Sequence, residues 1–235
     1  ESFDFKNYEL VISVTSEAAK GIITGTNTTH ICYMLTPTRY LWSGYDEYFK
    51  KPILRFFSKP IISYLRWWDK VAATRPDKII AISTEVQKRI KKYYNRDSEI
   101  IFPPVDLPVY SSLFTVHKDY YLYVGRLVKY KKVDLLIDTF NELGLPLVIV
   151  GTGPEAYSLK HKACDNIKFL GQISDGELSE IYSKAKAFLM PQDEDFGITA
   201  VEAQSFGVPV IAYNKGGSLD TVVDGKTGIL FNDQT

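Results

Sequence analysis

Residues 194–202 read Glu194-Asp195-Phe196-Gly197-Ile198-Thr199-Ala200-Val201-Glu202. The apolar run Lys186 to Met190 leads in through Pro191-Gln192-Asp193, and Gly207-Val208-Pro209-Val210-Ile211-Ala212 follows. This order predicts strand, turn, helix, turn, strand. The helix is expected to start near Gly197, because Ile198, Val201 and Phe206 fall close to one face at helical spacing. Glu194 then stands just before a helix N-terminus, where free N–H groups attract anions and hydroxyl oxygens. Glu202 stands about two turns up, at ~1.5 Å rise per residue. Two carboxylates so placed suit a ligand with both hydroxyls and negative charge. Two exposed glutamates on an ordinary helix are the plain alternative.

Working outward, the second half repeats strand, turn and helix. Tyr120 to Val124 is an aromatic and β-branched strand that ends at Gly125-Arg126-Leu127-Val128-Lys129-Tyr130-Lys131-Lys132. Val133, Leu136, Ile137, Phe140 and Leu143 mark an amphipathic helix stopped by Gly144. Leu147 to Val150 is the next strand, with Gly151-Thr152-Gly153-Pro154 as its turn, and Asn166 to Leu170 follows. Ser174-x-x-Glu177 is a capping box. Strands alternating with helices in this way make βαβ units and a parallel sheet. Arg126 offers a planar fork to phosphate and Lys131 a mobile point charge.

The first half reads similarly. Residues 8–14 and His30 to Met34 are strands, the second ending at Thr36-Pro37-Thr38-Arg39-Tyr40-Leu41-Trp42. Arg39 meets a phosphate or carboxylate ligand, or pairs with Asp46 or Glu47. Residues 48–75 carry Lys50, Lys51, Arg55, Lys59, Arg66, Lys70 and Arg75 against Asp69 alone, interleaved with aromatics. Pro52 and Pro60 break this stretch, so its helix is expected to begin near Pro60. The stretch is either a surface for anionic lipid headgroups or a helix that buries its aromatics in the domain. Because the aromatics form no single clean stripe, burial is the expectation. Residues 77–83 are a strand, Thr84-x-x-Gln87 a capping box, and Glu99 to Phe102 a short strand. Pro103-Pro104-Val105-Asp106-Leu107-Pro108 is a stiff linker.

Composition narrows the function classes. Hydrophobic residues are 45% and charged residues 24% of 235, and Lys+Arg equals Asp+Glu at 28 each. That balance is globular and argues against a general nucleic-acid binder. Two cysteines make no disulfide framework and fit a reduced, cytoplasmic setting. No run approaches the roughly 18 apolar residues of a membrane span. Histidine and cysteine spacing suggests no metal site.

The pair of glutamates with seven residues between them, then Gly-x-Pro-Val-Ile, resembles the signature of family 4 retaining glycosyltransferases. So do Gly125-Arg126-Leu127-Val128 with its following Lys131, the Pro103-Pro104-Val105-Asp106 run, and the closing stretches Tyr213-Asn214-Lys215-Gly216-Gly217 and Gly225-Lys226-Thr227-Gly228-Ile229-Leu230-Phe231. The Thr36-Pro37-x-Arg39-Tyr40-x-Trp42 run is similar to a mannosyltransferase-like branch, with Leu35 where that branch often has histidine. The resemblance implies an α/β protein of the GT-B type: two Rossmann-like domains with parallel sheets, the N-terminal one short of a full domain. The expected division is 1–113 on the acceptor side and 114–235 on the nucleotide-sugar side.

It further implies roles. Glu194, Arg126 and Lys131 are the catalytic set, the two cations serving the diphosphate. Phe196, Gly197, Ile198, Glu202, Ile173 and Gly153 are on the donor side, Glu202 at the ribose. Lys20 and Arg39 are acceptor-side candidates. The implied reaction moves a hexose, mannose from GDP-mannose foremost, to a glycan or lipid-linked acceptor. The donor is a GDP- or UDP-linked sugar. No metal or cofactor is expected, and the Asp193-x-Asp195 pair is not read as a metal site. The setting is cytoplasmic, with peripheral contact on the inner face of an anionic membrane as one reading. A nucleotide-sugar-binding module without transferase activity is the alternative.

Overall fold

The computed structural model describes residues 4–5, 7–106 and 119–234, without the side chains of Glu47 and Leu54. Its contacts divide the chain into one unit up to Pro103 and a second from Pro104. The boundary expected at 113/114 lies outside the described residues.

The first unit is a parallel sheet of β1 (Leu10–Thr15), β2 (Thr29–Met34), β3 (Lys78–Ala81) and β4 (Glu99–Ile100), in that order. Its helices are α1 (Tyr45–Tyr48), α2 (Pro52–Ala72) and α3 (Thr84–Tyr94). The register sets Ser13, Cys32 and Ile79 side by side, with Met34 beside Ala81. All five are buried on one face, while Leu10, Ile12 and Val14 on the other face are exposed.

Three expectations are corrected here. The helix expected near Pro60 starts eight residues earlier, with Pro52 in its first turn and Pro60 inside it. Pro52 fits there because a first-turn N–H has no intrahelical partner to lose. Pro60 withdraws one bond from the carbonyl of Phe56, a residue 73% exposed, so water can serve that carbonyl. Nor do most aromatics of α2 enter the core: Phe56, Phe57, Tyr64 and Trp67 are exposed, and Trp68 is half-buried. The cap of α3 is Ser83, whose Oγ accepts from Val86 N at 3.1 Å. Gln87 points elsewhere and donates to Ser98 O at 2.6 Å.

A buried ion pair ties this unit together. Lys20, 1% exposed, holds Asp69 at 2.6 Å. Asp69 also accepts from Thr38 Oγ1 (2.9 Å), Trp42 Nε1 (2.7 Å) and Tyr94 Oη (2.7 Å). Lys20 Nζ further donates to Glu17 O at 2.5 Å and Thr38 Oγ1 at 3.3 Å. A buried charge is tolerated when paired and hydrogen-bonded to this extent. Lys20, expected as an acceptor-side contact, serves here as a structural lock, with its ammonium engaged inside the fold. The Thr36–Trp42 run gains a structural reason too, since Thr38 and Trp42 close the lock.

The second unit is a six-stranded parallel sheet of β5 (Tyr120–Val124), β6 (Leu147–Val150), β7 (Ile167–Gly171), β8 (Ala185–Met190), β9 (Val210–Tyr213) and β10 (Gly228–Phe231). Its order is β10-β9-β8-β5-β6-β7. The chain starts at the centre with β5, winds outward through β6 to β7, then returns to lay β8 on the other side of β5. Residues alternate between two cores. Leu122, Val148, Phe188 and Met190 pack on one face, and Tyr123, Leu147, Ile149 and Leu189 on the other. Burial on both faces is why these strands read as unbroken apolar runs.

The connecting helices are α4 (Val133–Leu143), α5 (Ala156–Lys162), α6 (Asp175–Ser183), α7 (Ile198–Ser205) and α8 (Ser218–Thr221). The Ser174–Glu177 capping box of α6 is present in both directions. In α7 the buried side is Ala200 and Ala203, whereas Ile198 is 44% exposed. Small residues let α7 lie close to the sheet, which a search for bulky periodicity misses.

Candidate functional site

In an open parallel sheet ligands bind beyond the carboxyl ends of the strands, where the winding reverses. In the second unit that point lies between β5 and β8.

The loop after β5 is anchored residue by residue. Gly125 N donates to Val150 O (3.0 Å), Leu127 N to Thr152 O (2.9 Å), and Leu127 O accepts from Glu155 N (3.0 Å). Gly151 and Gly153 make this approach possible. A Cβ on Gly151 would stand 2.0 Å from Gly125 O, and one on Gly153 2.3 Å from Leu127 O. Gly153 thus has a packing role beneath the loop. Leu127 is buried, and Arg126 beside it is exposed. A 3₁₀ turn over Lys129–Lys131 follows, and Lys132 enters α4 in the left-handed conformation at φ 55°.

The loop after β8 delivers Glu194. Lys131 Nζ is ion-paired to Glu194 Oε1, with 15% of each side chain exposed. Gln192, 4% exposed, donates from Nε2 to the same oxygen at 2.7 Å. The pair joins residues 63 positions apart, so the winding of the sheet brings the two loops together. The loop is held from behind by Gly216 and Gly217. Gly217 N donates to Glu194 O at 2.7 Å, and a Cβ on Gly217 would stand 2.3 Å from Phe196 Cα. Gly197 sits at φ 93° ahead of α7, where a Cβ would stand 2.9 Å from Met190 Sδ. The Phe196 ring is buried and Ile198 begins the helix. Asp193 pairs with Lys215 at 3.3 Å.

Glu202 is held separately. Its Oε2 accepts from Tyr182 Oη at 2.9 Å. Tyr182 is buried and stacks on Phe206 with ring centroids 5.5 Å apart. Burial, then the Glu202 charge, push its phenol far above the ordinary range, so it stays protonated and donating. Tyr123, under the Arg126 loop, is raised for the same first reason, with the Glu194 charge adding. Ile173 is half-buried against the core after β7.

The structure therefore brings Lys131 and Glu194 into contact and sets Arg126 and Gly153 in the adjoining loop pair. Glu202 lies one turn into α7 with its own partner. Arg39 lies in the first unit, half-buried. Gln192 and Tyr182 are site residues that the sequence did not single out, while Gly216 and Gly217 stood in a family-like turn without an expected role. Gln192 carried a local signal, lying two positions from Glu194 in an extended run. Tyr182 carried none, since its partner is 20 residues away on another element.

The family model of glycosyl transferases group 1 matches residues 111–235. An uncharacterized glycosyltransferase of Methanocaldococcus jannaschii is 29% identical over 172 residues, covering 70% of this chain and 48% of that protein. A GDP-mannose-dependent alpha-(1-6)-phosphatidylinositol monomannoside mannosyltransferase of Mycobacterium tuberculosis is 34% identical over 130 residues, covering 48% of this chain and 34% of that protein. The chain thus spans half or less of the length of these relatives. Anabaena HepE, solved in complex with UDP and glucose, superposes with a TM-score of 0.69 at 18% identity, over 88% of this chain and 58% of that one. The α/β fold with its two parallel sheets is of the GT-B type. The family match spans more than half of the chain and takes in Arg126, Lys131, Glu194 and Glu202 together, so the chain belongs to the glycosyl transferases group 1.

Proposed function

We propose that this chain carries the donor machinery of a family 4 retaining glycosyltransferase. It moves a hexose, mannose from GDP-mannose in the specific reading, onto a glycan or lipid-linked acceptor at the membrane periphery. The observation that carries the proposal is the meeting of Lys131 with Glu194 at the switch point, beside the exposed Arg126. Cations on one loop and a carboxylate on the other suit a ligand with a diphosphate at one end and sugar hydroxyls at the other. The GDP-mannose dependence of the Mycobacterium tuberculosis relative supports the GDP-mannose reading.

In this reading Arg126 and Lys131 hold the diphosphate. Glu194 and the backbone of Phe196, Gly197 and Ile198 hold the sugar, Glu202 the ribose hydroxyls, and backbone near Ile173 the base. The bond from the sugar's anomeric carbon to the diphosphate oxygen breaks, and a bond to the acceptor oxygen forms on the same face. The departing diphosphate takes the acceptor's proton, so no protein nucleophile is required. Negative charge grows on the leaving group, and cations fixed beforehand stabilise it without reorganising. Those cations do the work a metal does elsewhere, so we read the transfer as metal-independent.

Calorimetric titration with GDP, UDP and ADP, free and as sugar conjugates, in the presence of a chelator, tests this. One nucleotide should bind, and Arg126→Ala should weaken it at least ~10-fold, about 1.4 kcal/mol. Affinity for none of them, or affinity indifferent to Arg126, sinks the proposal.

A further inference from the structure

The first unit presents a surface that the donor site does not use. Along α2, Ile53, Phe56, Phe57, Ile61, Tyr64 and Trp67 are between 59% and 74% exposed. Their spacing of three and four residues gathers them on one side of the helix. The opposite side is already occupied, since Ile62, Asp69 and Ala72 are buried. So α2 is apolar on two sides, and among the described residues only one of them is buried. On the outer side Phe56 touches Phe57 and Tyr64 touches Trp67, at 5.5 and 5.8 Å between ring centroids.

A basic stripe runs along one border of this face. Arg55, Lys59, Arg66 and Lys70 recur at intervals of four, seven and four. Asp69, the one acid of α2, faces inward and is bound by Lys20. Beside the stripe lies a groove of about 480 Å³ whose cationic walls are Lys50, Arg55, Lys59 and Arg66. Arg55 is paired with Asp46, and Arg66 Nε donates to Leu41 O at 2.6 Å. Lys50, Lys51, Lys59 and Lys70 are exposed, and the Lys70 ammonium also lies over the Trp42 ring at 5.5 Å.

We propose that α2 docks the protein on a bilayer that contains anionic phospholipid. Its aromatic face lies among the upper acyl chains, and the lysine-lined groove receives phosphate headgroups. An apolar arc bordered by lysines is the pattern of a helix lying in the interface plane. The charge selects the occupant: a bilayer with anionic lipid satisfies the aromatic face and the cations at once. No helix of the described residues is long and apolar enough to cross a membrane, so α2 rests on the surface. The proposal extends the reading of an acceptor met at the membrane. It stands on the first unit alone, so its failure leaves the donor site untouched.

Flotation with phosphatidylcholine vesicles, with and without phosphatidylglycerol, tests it. The chain should float only with the anionic vesicles, less so as salt is raised, and Trp67 emission should shift to the blue. The pairs Phe57→Ser/Trp67→Ser and Lys59→Glu/Lys70→Glu should each weaken flotation about 10-fold or more. Far-ultraviolet circular dichroism and nucleotide titration of the same variants, both unchanged, show that they fold. Flotation that is absent, or equal in folded variants and native chain, overturns the proposal. So does self-association without vesicles that is lost in the aromatic variant, which assigns the face to a second copy.

Discussion

Gln192 is the residue on which the geometry of Glu194 turns. Its amide donates to Glu194 Oε1, the oxygen that also meets Lys131. Two donors on one oxygen leave Oε2 directed by its sibling, and a hydrogen bond to a charged group contributes about 1.5–3 kcal/mol. Gln192→Ala should therefore lower sugar-nucleotide affinity ~10-fold or more while free nucleotide binds almost as before, because in the proposed arrangement the phosphates meet Arg126 and Lys131. A titration comparing the two ligands checks this, and equal losses for both would deny Gln192 a role specific to Glu194. At this scale the sequence was legible where chemistry is local. Arg126, Lys131 and Glu194 stand in loops whose strands are readable, and their loops do meet. Lys20 was illegible, because an exposed basic residue and one buried against Asp69 49 positions later look the same in a string of letters.

Among the elements, α2 departs furthest from its local signals. Proline inside a helix removes one hydrogen bond and crowds the carbonyl four residues back. On an exposed face that carbonyl can turn to water, so the helix runs on through Pro60. Pro60→Ala should restore the bond and stabilise the first unit by about 1–3 kcal/mol, read as a higher thermal midpoint, and an unchanged or lowered midpoint would show that Pro60 is better fitted than this account allows. The strands of the second unit were legible for the converse reason. Burial on both faces makes composition alone sufficient, so no pairing partner need be known in advance. α7 was legible in position and not in packing, because Ala200 and Ala203 carry the contact that larger side chains were expected to make.

Over the whole molecule, the residues proposed for the donor side all lie on the loops and helices of a single sheet, from Arg126 after β5 to Glu202 in α7. Residues 119–235 expressed alone should therefore fold and bind the same nucleotide as the full chain, within about threefold, roughly 0.6 kcal/mol. Calorimetry on the two proteins checks it, and a far weaker short chain would mean that the first unit contributes to the donor site. The parallel architecture was legible from alternating strand and helix signals. The open face of the first sheet was not, since Leu10, Ile12 and Val14 are written like any buried strand.

The placing of β8 against β5 has a consequence in time. Both strands are centred in the sheet, yet β6, β7 and three helices are synthesised between them. Contacts between distant segments close late, because the intervening chain must be ordered first. A nascent chain thus exposes Arg126 and Lys131 long before Glu194 exists to neutralise the ammonium. In the proposed donor site, recovery of nucleotide binding during refolding should therefore come late, after β8 has docked on β5.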